Sequence, residues 1–479
     1  SIFGFKSCTL LDDKFFITFS LQFNFSMQKN NVYIETYGCQ MNLADTEIVL
    51  GILKKQGYDV TDKPEDADVV LINTCSIRDN AEQRIYGRIG NLKTLKQNKP
   101  ELVLGILGCM AERLRKDLVE DKKAVDLVVG PDEYRRLPEY IDVALNGDKG
   151  IGVKLSRTET YDDIEPHRED GLSAWISVMR GCDKFCTFCV VPFTRGRERS
   201  RSLQSIISEL ENLSVRGFKD VTLLGQNVNS YLDETSATSG DFADLLSAAA
   251  KVDRTLRIRF STSHPQDISD KLLYTIAEHP NLCNYIHLPV QSGSNRILEL
   301  MNRTYTVEHY LNLIEKAKKI IPGVSFSTDI ISGFPTETWE DHLATLEVLK
   351  QVRYDGAYMF KYSPREGTKA FRMKDDVPEE VKSKRLQEII DLQHQISLEK
   401  NQDMIGTEEI ILVEGFSKKS NEFIAGRTDT NKTVIVPIND KIKTSDYIKV
   451  KINRATSGTL FGDYLSHIQP EKEGIALTA

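Results

Sequence analysis

Three cysteines, Cys182, Cys186 and Cys189, stand four and three residues apart in the stretch Arg180-Gly181-Cys182-Asp183-Lys184-Phe185-Cys186-Thr187-Phe188-Cys189. Thiolates at this spacing, on a loop leaving an apolar run, can converge on one inorganic centre. Iron–sulfur clusters are usually held by four thiolates. The motif supplies three, which leaves one iron open to an exchangeable ligand. Three more cysteines, Cys39, Cys75 and Cys109, lie about 35 residues apart, each closing an apolar run. Cys8 and Cys283 complete the eight; they lack partners at useful spacing and read as structural.

The elements around these residues explain how distant thiols could meet. Residues 31–39 (NVYIETYGC), 68–75 (DVVLINTC) and 101–109 (ELVLGILGC) read as strands, with helices over 43–58 and 80–99. A fourth apolar run, 124–130, precedes a helix over 133–145. Strands alternating with helices of this length predict a parallel, doubly wound sheet. In such a sheet the carboxyl ends of the strands share one edge, where open α/β folds bind ligands. Cys39, Cys75 and Cys109 each end one of three successive strands, so the topology gathers them. Buried cysteines can be plain core residues, but three in one topological slot favour a cluster site.

Residues 147–171 are polar and charged and read as a linker between domains. Beyond it, six βα-like units follow, with strands over 174–180, 220–226, 257–263, 285–289, 324–331 and 357–362. Six units fall short of the eight of a closed barrel and predict an open (β/α)6 barrel over 172–402. Its first strand delivers the cysteine motif to a carboxyl end, where the chemistry of such folds sits. Polar turns Gly225-Gln226-Asn227, Ser263-His264-Pro265, Gln291-Ser292-Gly293-Ser294 and Gly333-Phe334-Pro335 occupy the other ends. His264 reads as a strand-end cap in preference to a substrate contact. A charged helix over 379–402 leads to short alternating runs over 403–470, which predict a small all-β barrel.

Composition sets the outer bounds. A chain of 479 residues, 40% apolar and 28% charged, suits two or three soluble globular domains. The balance of 62 basic against 70 acidic residues, net −8, does not point to a nucleic-acid binder but leaves room for a local basic groove. So few cysteines, clustered, suit a reducing cytoplasm and metal chemistry rather than a disulfide scaffold. No apolar run reaches the roughly 18 residues of a membrane-spanning helix. Residues 1–26 read as a non-functional extension ahead of Met27.

The Cys182/Cys186/Cys189 motif resembles that of radical S-adenosylmethionine (SAM) enzymes. Together with the cysteine-bearing N-terminal unit (30–146) and the terminal β-barrel, the chain is similar to the methylthiotransferases of that superfamily, over essentially residues 30–470. The stretches that carry the likeness include Tyr37-Gly38-Cys39-Gln40-Met41-Asn42, Asn73-Thr74-Cys75-Ser76-Ile77-Arg78 and Gly108-Cys109-Met110-Ala111. Others are Phe193-Thr194-Arg195-Gly196-Arg197-Glu198-Arg199-Ser200-Arg201 and His287-Leu288-Pro289-Val290-Gln291-Ser292-Gly293-Ser294. Gln40-Met41-Asn42 favours the branch acting on isopentenylated adenosine beside the anticodon. The branches acting on threonylcarbamoyl-adenosine or on a ribosomal-protein aspartate are the alternatives, and a non-catalytic iron–sulfur RNA-binding protein or redox sensor is the reading from another class. Ser332 and Thr336 depart from the family's usual valine and glycine.

The resemblance implies two 4Fe-4S clusters, one on Cys182, Cys186 and Cys189 and an auxiliary one on Cys39, Cys75 and Cys109. It also implies SAM as methyl donor and radical source, with the auxiliary site supplying sulfur. C2 of adenosine carries an unactivated hydrogen that no side-chain base removes usefully, so the hard step falls to a cofactor. Gln226, Asn227 and Ser292 are expected to contact SAM, and Phe185 and Phe188 to shield the cluster. Arg195, Arg197, Arg199 and Arg201 alternate with period two and are expected on one side of an extended segment, meeting RNA phosphates, together with Arg427 and Lys432 of the terminal TRAM barrel, or the SAM carboxylate. The implied partners are a tRNA anticodon stem-loop carrying isopentenyladenosine and an electron donor such as flavodoxin or ferredoxin. A cytoplasmic monomer is expected.

Overall fold

A computed structural model of the chain describes residues 30–76, 79–115, 117–121, 124–234 and 240–469. The extension over 1–26 and Cys8 lie outside the described residues, as do Ile77 and Arg78 of the second cysteine stretch.

The first unit is a six-stranded sheet. Its strands are β1 (Asn31–Tyr37), β2 (Asp59–Val60), β3 (Val69–Thr74), β4 (Val103–Gly108), β5 (Leu127–Val129) and β6 (Gly150–Gly152), in the order β2-β1-β3-β4-β5-β6. Every pairing is parallel. All six residues of β3 and all six of β4 are buried, because helices cover both faces. One face packs Val69, Leu71 and Leu107 against Ile48, Val49 and Ile141, and the other packs Val70, Ile72 and Ile106 against Ile85, Ile89 and Leu92. That is why these strands read as continuous apolar runs rather than alternating ones. Each such side chain contributes about 1.5–3 kcal/mol on burial.

The first helix spans Gln40–Lys55, three residues ahead of its expected start. Cys39 takes the N-cap position and its backbone N–H donates to Asn42 Oδ1 at 3.3 Å; cysteine is not among the preferred capping residues, so the start was unmarked. The stretch expected as a linker is not loose. It opens with β6, buries Tyr161, whose hydroxyl donates to the Pro131 carbonyl at 2.9 Å, and ends with Arg168 paired to Glu209 at 2.6 Å and to Glu47.

Six parallel strands follow in chain order: Ser173–Ser177, Asp220–Leu224, Arg257–Ser261, Tyr285–His287, Ser325–Ser332 and Gly356–Lys361. They form two three-stranded sheets joined by the parallel bridge between Ile258 and Leu282. Val221, Leu223, Ile258 and Phe260 enter the helix-side core, which by strand alternation leaves Thr222 and Arg259 to the barrel interior. The first strand is shorter than expected. It stops at Ser177, and Met179–Arg180 pairs antiparallel with Arg199–Ser200 instead, so the cysteine loop is the tip of a short ribbon.

The terminal unit is a closed five-stranded barrel of Glu408–Ser417, Ser420–Arg427, Thr433–Pro437, Tyr447–Ala455 and Leu460–Ile468. It docks at the amino ends of the central strands, away from the cysteine loop. Arg257 donates to the Arg427 and Ile410 carbonyls at 2.6 and 2.9 Å, Arg259 donates to the Thr428 and Asp429 carbonyls at 2.8 Å, and the Tyr447 hydroxyl donates to the Thr255 carbonyl at 2.8 Å. Among the described residues, no helix is long and apolar enough to cross a membrane.

Candidate active site

The register of the first sheet gathers its cysteines. Tyr37 pairs with Thr74, and Thr74 with Gly108, so Cys39, Cys75 and Cys109 leave one edge side by side. A buried polar lattice fixes these strand ends. Asn42 Nδ2 donates to Asn73 Oδ1 at 3.2 Å and to the Thr74 carbonyl at 3.1 Å; Asn73 Nδ2 donates back to the Asn42 carbonyl at 2.9 Å; Thr74 Oγ1 donates to the Leu107 carbonyl at 2.6 Å. Gly108, at φ 90°, sits where any Cβ would strike the Thr74 carbonyl and the Asn73 side chain. Cys39 is the exposed residue of the three, while Cys75 and Cys109 are buried. Cys39 is drawn down to about 6, first by hydrogen bonding with the Cys75 thiol and, against burial, by the Arg195 cation. Burial pushes Cys109 up, and its sulfur accepts from Arg195 Nε at 3.2 Å.

The second triad occupies the loop beyond Arg180. Cys182 N–H donates to the Gly196 carbonyl at 3.1 Å, Cys189 N–H to the Cys186 carbonyl at 3.0 Å, and Val191 N–H to the Cys189 sulfur at 3.5 Å. Thr187 ties the loop down, donating from Oγ1 to the Leu300 carbonyl at 2.9 Å and from N–H to that of Met301 at 3.0 Å. Burial pushes Cys182 and Cys189 up to about 12, with the nearby Cys186 sulfur adding to it. Cys186 accepts from Arg303 Nη1 at 3.4 Å.

Among the described residues, no three His, Cys, Asp or Glu side chains are placed to hold a single metal ion. The chemistry of each triad fits a cluster: its members are all thiols, with no carboxylate among them, and one sulfur of each accepts a guanidinium N–H. Cluster thiolates bind separate irons and so need not close on one point. Iron bound there would deprotonate a coordinating thiol outright and so override the raised values of Cys182, Cys189 and Cys109.

The polar groups at the barrel's carboxyl ends carry unmet hydrogen bonds. Gln226 Oε1, Asn227 Oδ1, Ser263 Oγ, Gln291 Oε1 and Ser332 Oγ are buried without a protein partner. Leaving such a group unpaired costs about 1–3 kcal/mol, so their gathering at the strand ends fits a polar ligand seated there. Asn227 also donates from Nδ2 to Asp267 at 2.7 Å, and Asp267 holds Lys184 of the cysteine loop at 2.7 Å. Ser292 is placed differently from its expectation: its Oγ accepts from Ser294 N–H at 3.2 Å and faces Thr345 Oγ1 at 3.5 Å, inside the turn that starts the next helix. Ser263 and Gln291, named in the sequence only as members of their turns, carry the unmet polar atoms instead.

Phe188 packs with Met301, Phe334 and Tyr362 in a small core, whereas Phe185 stays exposed, edge-on to Phe193 and beneath the Arg197 guanidinium at 5.2 Å. His264 caps a short turn, its Nδ1 accepting from Gln266 N–H at 3.3 Å; burial, with Arg303 and Lys184 nearby, lowers it to about 2 and keeps it neutral.

The alternating arginines do not share one side. Arg195, Arg199 and Arg201 are buried in ion pairs: Arg195 with Asp45 at 2.7 Å, Arg199 with Asp132 at 2.8 Å, and Arg201 with Glu209 at 2.7 Å and Asp162 at 3.1 Å. Only Arg197 of the four points outward, paired with Asp183 at 2.7 Å. The segment is not an extended strand throughout, since Val191–Thr194 is helical and only Arg199–Ser200 pairs, so period two does not sort its faces. Arg427 is half-buried and pairs with Glu414 at 2.8 Å; Lys432 is tied to Asp355 at 2.8 Å. Asp45 and Arg303 went unnoticed in the sequence, because neither lies at a diagnostic spacing from a cysteine, and Arg180 was named only as the start of the cysteine stretch.

Comparison with known proteins gives the family. Residues 31–130 match the uncharacterized protein family UPF0004, 176–349 the radical SAM superfamily, and 402–465 the TRAM domain. The tRNA-2-methylthio-N(6)-dimethylallyladenosine synthase of Chloroherpeton thalassium is 53% identical over 439 residues, which is 91% of this chain and 97% of that one. The enzyme of the same name from Parabacteroides distasonis is 50% identical over 91% of this chain and 95% of its own. Among solved structures, the radical S-adenosylmethionine methyltransferase TsrM from Kitasatospora setae aligns with a TM-score of 0.52 at 14% identity, over 69% of this chain and 73% of that one, a likeness of fold alone. With both thiol triads, the open barrel and the terminal TRAM barrel in place, this chain belongs to the tRNA-2-methylthio-N(6)-dimethylallyladenosine synthase family of the radical SAM superfamily.

Proposed function

We propose that the chain installs a methylthio group at C2 of N(6)-dimethylallyladenosine beside the anticodon of tRNA, using SAM and two 4Fe-4S clusters. Cys182, Cys186 and Cys189 hold the first cluster, and Cys39, Cys75 and Cys109 the auxiliary one. When bound, these groups supply the radical that an unactivated C–H bond requires and the sulfur that replaces its hydrogen. The protein's share is placement. The unmet acceptors Gln226 Oε1, Asn227 Oδ1 and Gln291 Oε1 orient SAM over the motif loop. Exposed Phe185, Phe193 and Arg197 border that loop, where an unstacked base could rest, as enzymes acting on nucleobases generally require. The terminal barrel grips RNA, the tRNA substrate puts the reaction in the cytoplasm, and a monomer fed by a flavodoxin or ferredoxin suffices.

One observation carries the reading. Arg195 lies six residues beyond Cys189 in the central barrel, yet its Nε donates to Cys109 of the first sheet at 3.2 Å. The two triads therefore face a common seam, as a reaction that needs a radical at one centre and sulfur at the other demands. A sensor with one cluster has no use for this arrangement. The test is mass spectrometry of tRNA nucleosides from a strain lacking the gene, with and without complementation. Loss of 2-methylthio-N(6)-dimethylallyladenosine, with its unthiolated precursor accumulating, is the expected result; its retention overturns the proposal.

A further inference from the structure

We propose that Arg195 and Arg303 are a matched pair of positioning residues that set the reduction potentials of the two clusters, each by donating one buried N–H to one sulfur of a triad. Arg195 serves Cys109 at 3.2 Å and Arg303 serves Cys186 at 3.4 Å. Neither belongs to a cysteine motif, and each is held so that its sulfur contact is imposed by other bonds. Arg195 is fixed by Asp45 at 2.7 Å. Arg303 is fixed by the Pro289 carbonyl and the Tyr305 hydroxyl, both at 3.0 Å, with its guanidinium 5.0 Å from the Tyr305 ring centre. The auxiliary half of this inference rests on the two-cluster reading above.

Charge bookkeeping strengthens the case at Arg195. Asp45 is shared between Arg195 and Arg180, all three buried. Two cations against one anion leave an excess positive charge beside Cys109. Arg195 Nη1 is buried and meets no protein acceptor. A guanidinium offers five N–H donors in a fixed fork, and this one keeps a spare donor, for which a cluster sulfur is an acceptor of matching chemistry. Adding an electron makes a cluster more negative, so an N–H on its sulfur and a nearby cation favour the reduced state. Hydrogen bonds to sulfur and solvent exposure are the levers that tune such potentials. Burial keeps the charges from being screened.

The experiment is an EPR-monitored redox titration of the full chain, reconstituted anaerobically, with iron and sulfide counted. Signals are assigned in variants that lack one triad. R195Q is expected to make reduction of the auxiliary cluster at least tenfold less favourable, about 59 mV more negative for a one-electron couple, and to leave the other cluster unmoved. R303Q is expected to do the reverse. R195K and R303K, which keep the charge and lose the fork, should shift less in the same direction; they also serve if a glutamine variant does not fold. R199Q removes another buried arginine of the same stretch that touches no sulfur, and should move neither potential. Eight irons per chain with potentials unmoved in the Gln and Lys variants would overturn this inference alone, as would an equal shift in R199Q. Four irons in the unmutated chain would overturn the auxiliary half together with the two-cluster reading.

Discussion

Asp45 Oδ2 accepts from Arg195 Nη2 at 2.7 Å, joining the helix that follows Cys39 to the loop that follows Cys189. The same carboxylate also holds Arg180, the residue that leads into the cysteine motif. One fully buried anion thus links the chain segments that flank the two triads. Removing one partner of a buried ion pair costs about 3–5 kcal/mol, since the other charge is left uncompensated. Asp45→Asn is therefore expected to lower stability by at least that order, because two arginines lose their partner. Urea unfolding followed by circular dichroism checks it, and an unchanged midpoint would refute the account of the seam.

Gly181 adopts φ 79°, and a Cβ there would run into the Arg197 and Gly196 carbonyls. A left-handed conformation costs a non-glycine residue about 1–2 kcal/mol, and the clash adds to it. Gly181→Ala is expected to spread the Cys182 loop while leaving the first sheet intact. Iron analysis should then show roughly half the metal lost, with the remainder bound at Cys39, Cys75 and Cys109. Full retention of iron would mean that the loop tolerates the displacement.

The parts that could be read from the sequence are those fixed by local periodicity. The helix Glu379–Gln402 has the expected boundaries, and Cys39, Cys75 and Cys109 share an edge because parallel topology alone puts them there. What escaped was long-range pairing. Arg195 and Arg199 carry the same charge and similar spacing as Arg197, but only tertiary structure supplies Asp45 and Asp132 opposite the first two. Ser292 illustrates the same limit: its turn lies at the right strand end, yet Thr345, 53 residues away, turns its hydroxyl inward.

Glu112, one turn beyond Cys109, is buried with neither carboxylate oxygen hydrogen-bonded, and burial raises it to about 7 despite Arg115. An unfolded glutamate titrates near 4.3. Between these values the folded chain binds the extra proton, so stability falls as pH rises from about 4 through 7. Glu112→Gln removes that loss. Its stability relative to the parent chain is expected to improve by about 1–3 kcal/mol between pH 5 and pH 8. Urea midpoints at the two pH values decide it; a difference that does not grow with pH would refute the prediction.

Lys432 tests whether a basic residue on the terminal barrel belongs to RNA or to the fold. Its ammonium lies 2.8 Å from Asp355 and 2.9 Å from Asn401 Oδ1, at the junction of barrel, helix and central strand. Asp355 also holds Lys400 at 2.7 Å, and against the effect of burial the two ammonium groups keep its carboxyl below the usual range. A lysine this engaged has little to offer a phosphate. Lys432→Gln should therefore loosen the docked barrel, seen as faster proteolysis near residues 403–407, while the slope of log affinity for tRNA against log salt stays unchanged. A lysine that neutralises a phosphate changes that slope by about 0.9 when lost. A drop of that size for Lys432→Gln would put Lys432 on the RNA, and the ion pair with Asp355 would then be one that tRNA binding exchanges for a phosphate.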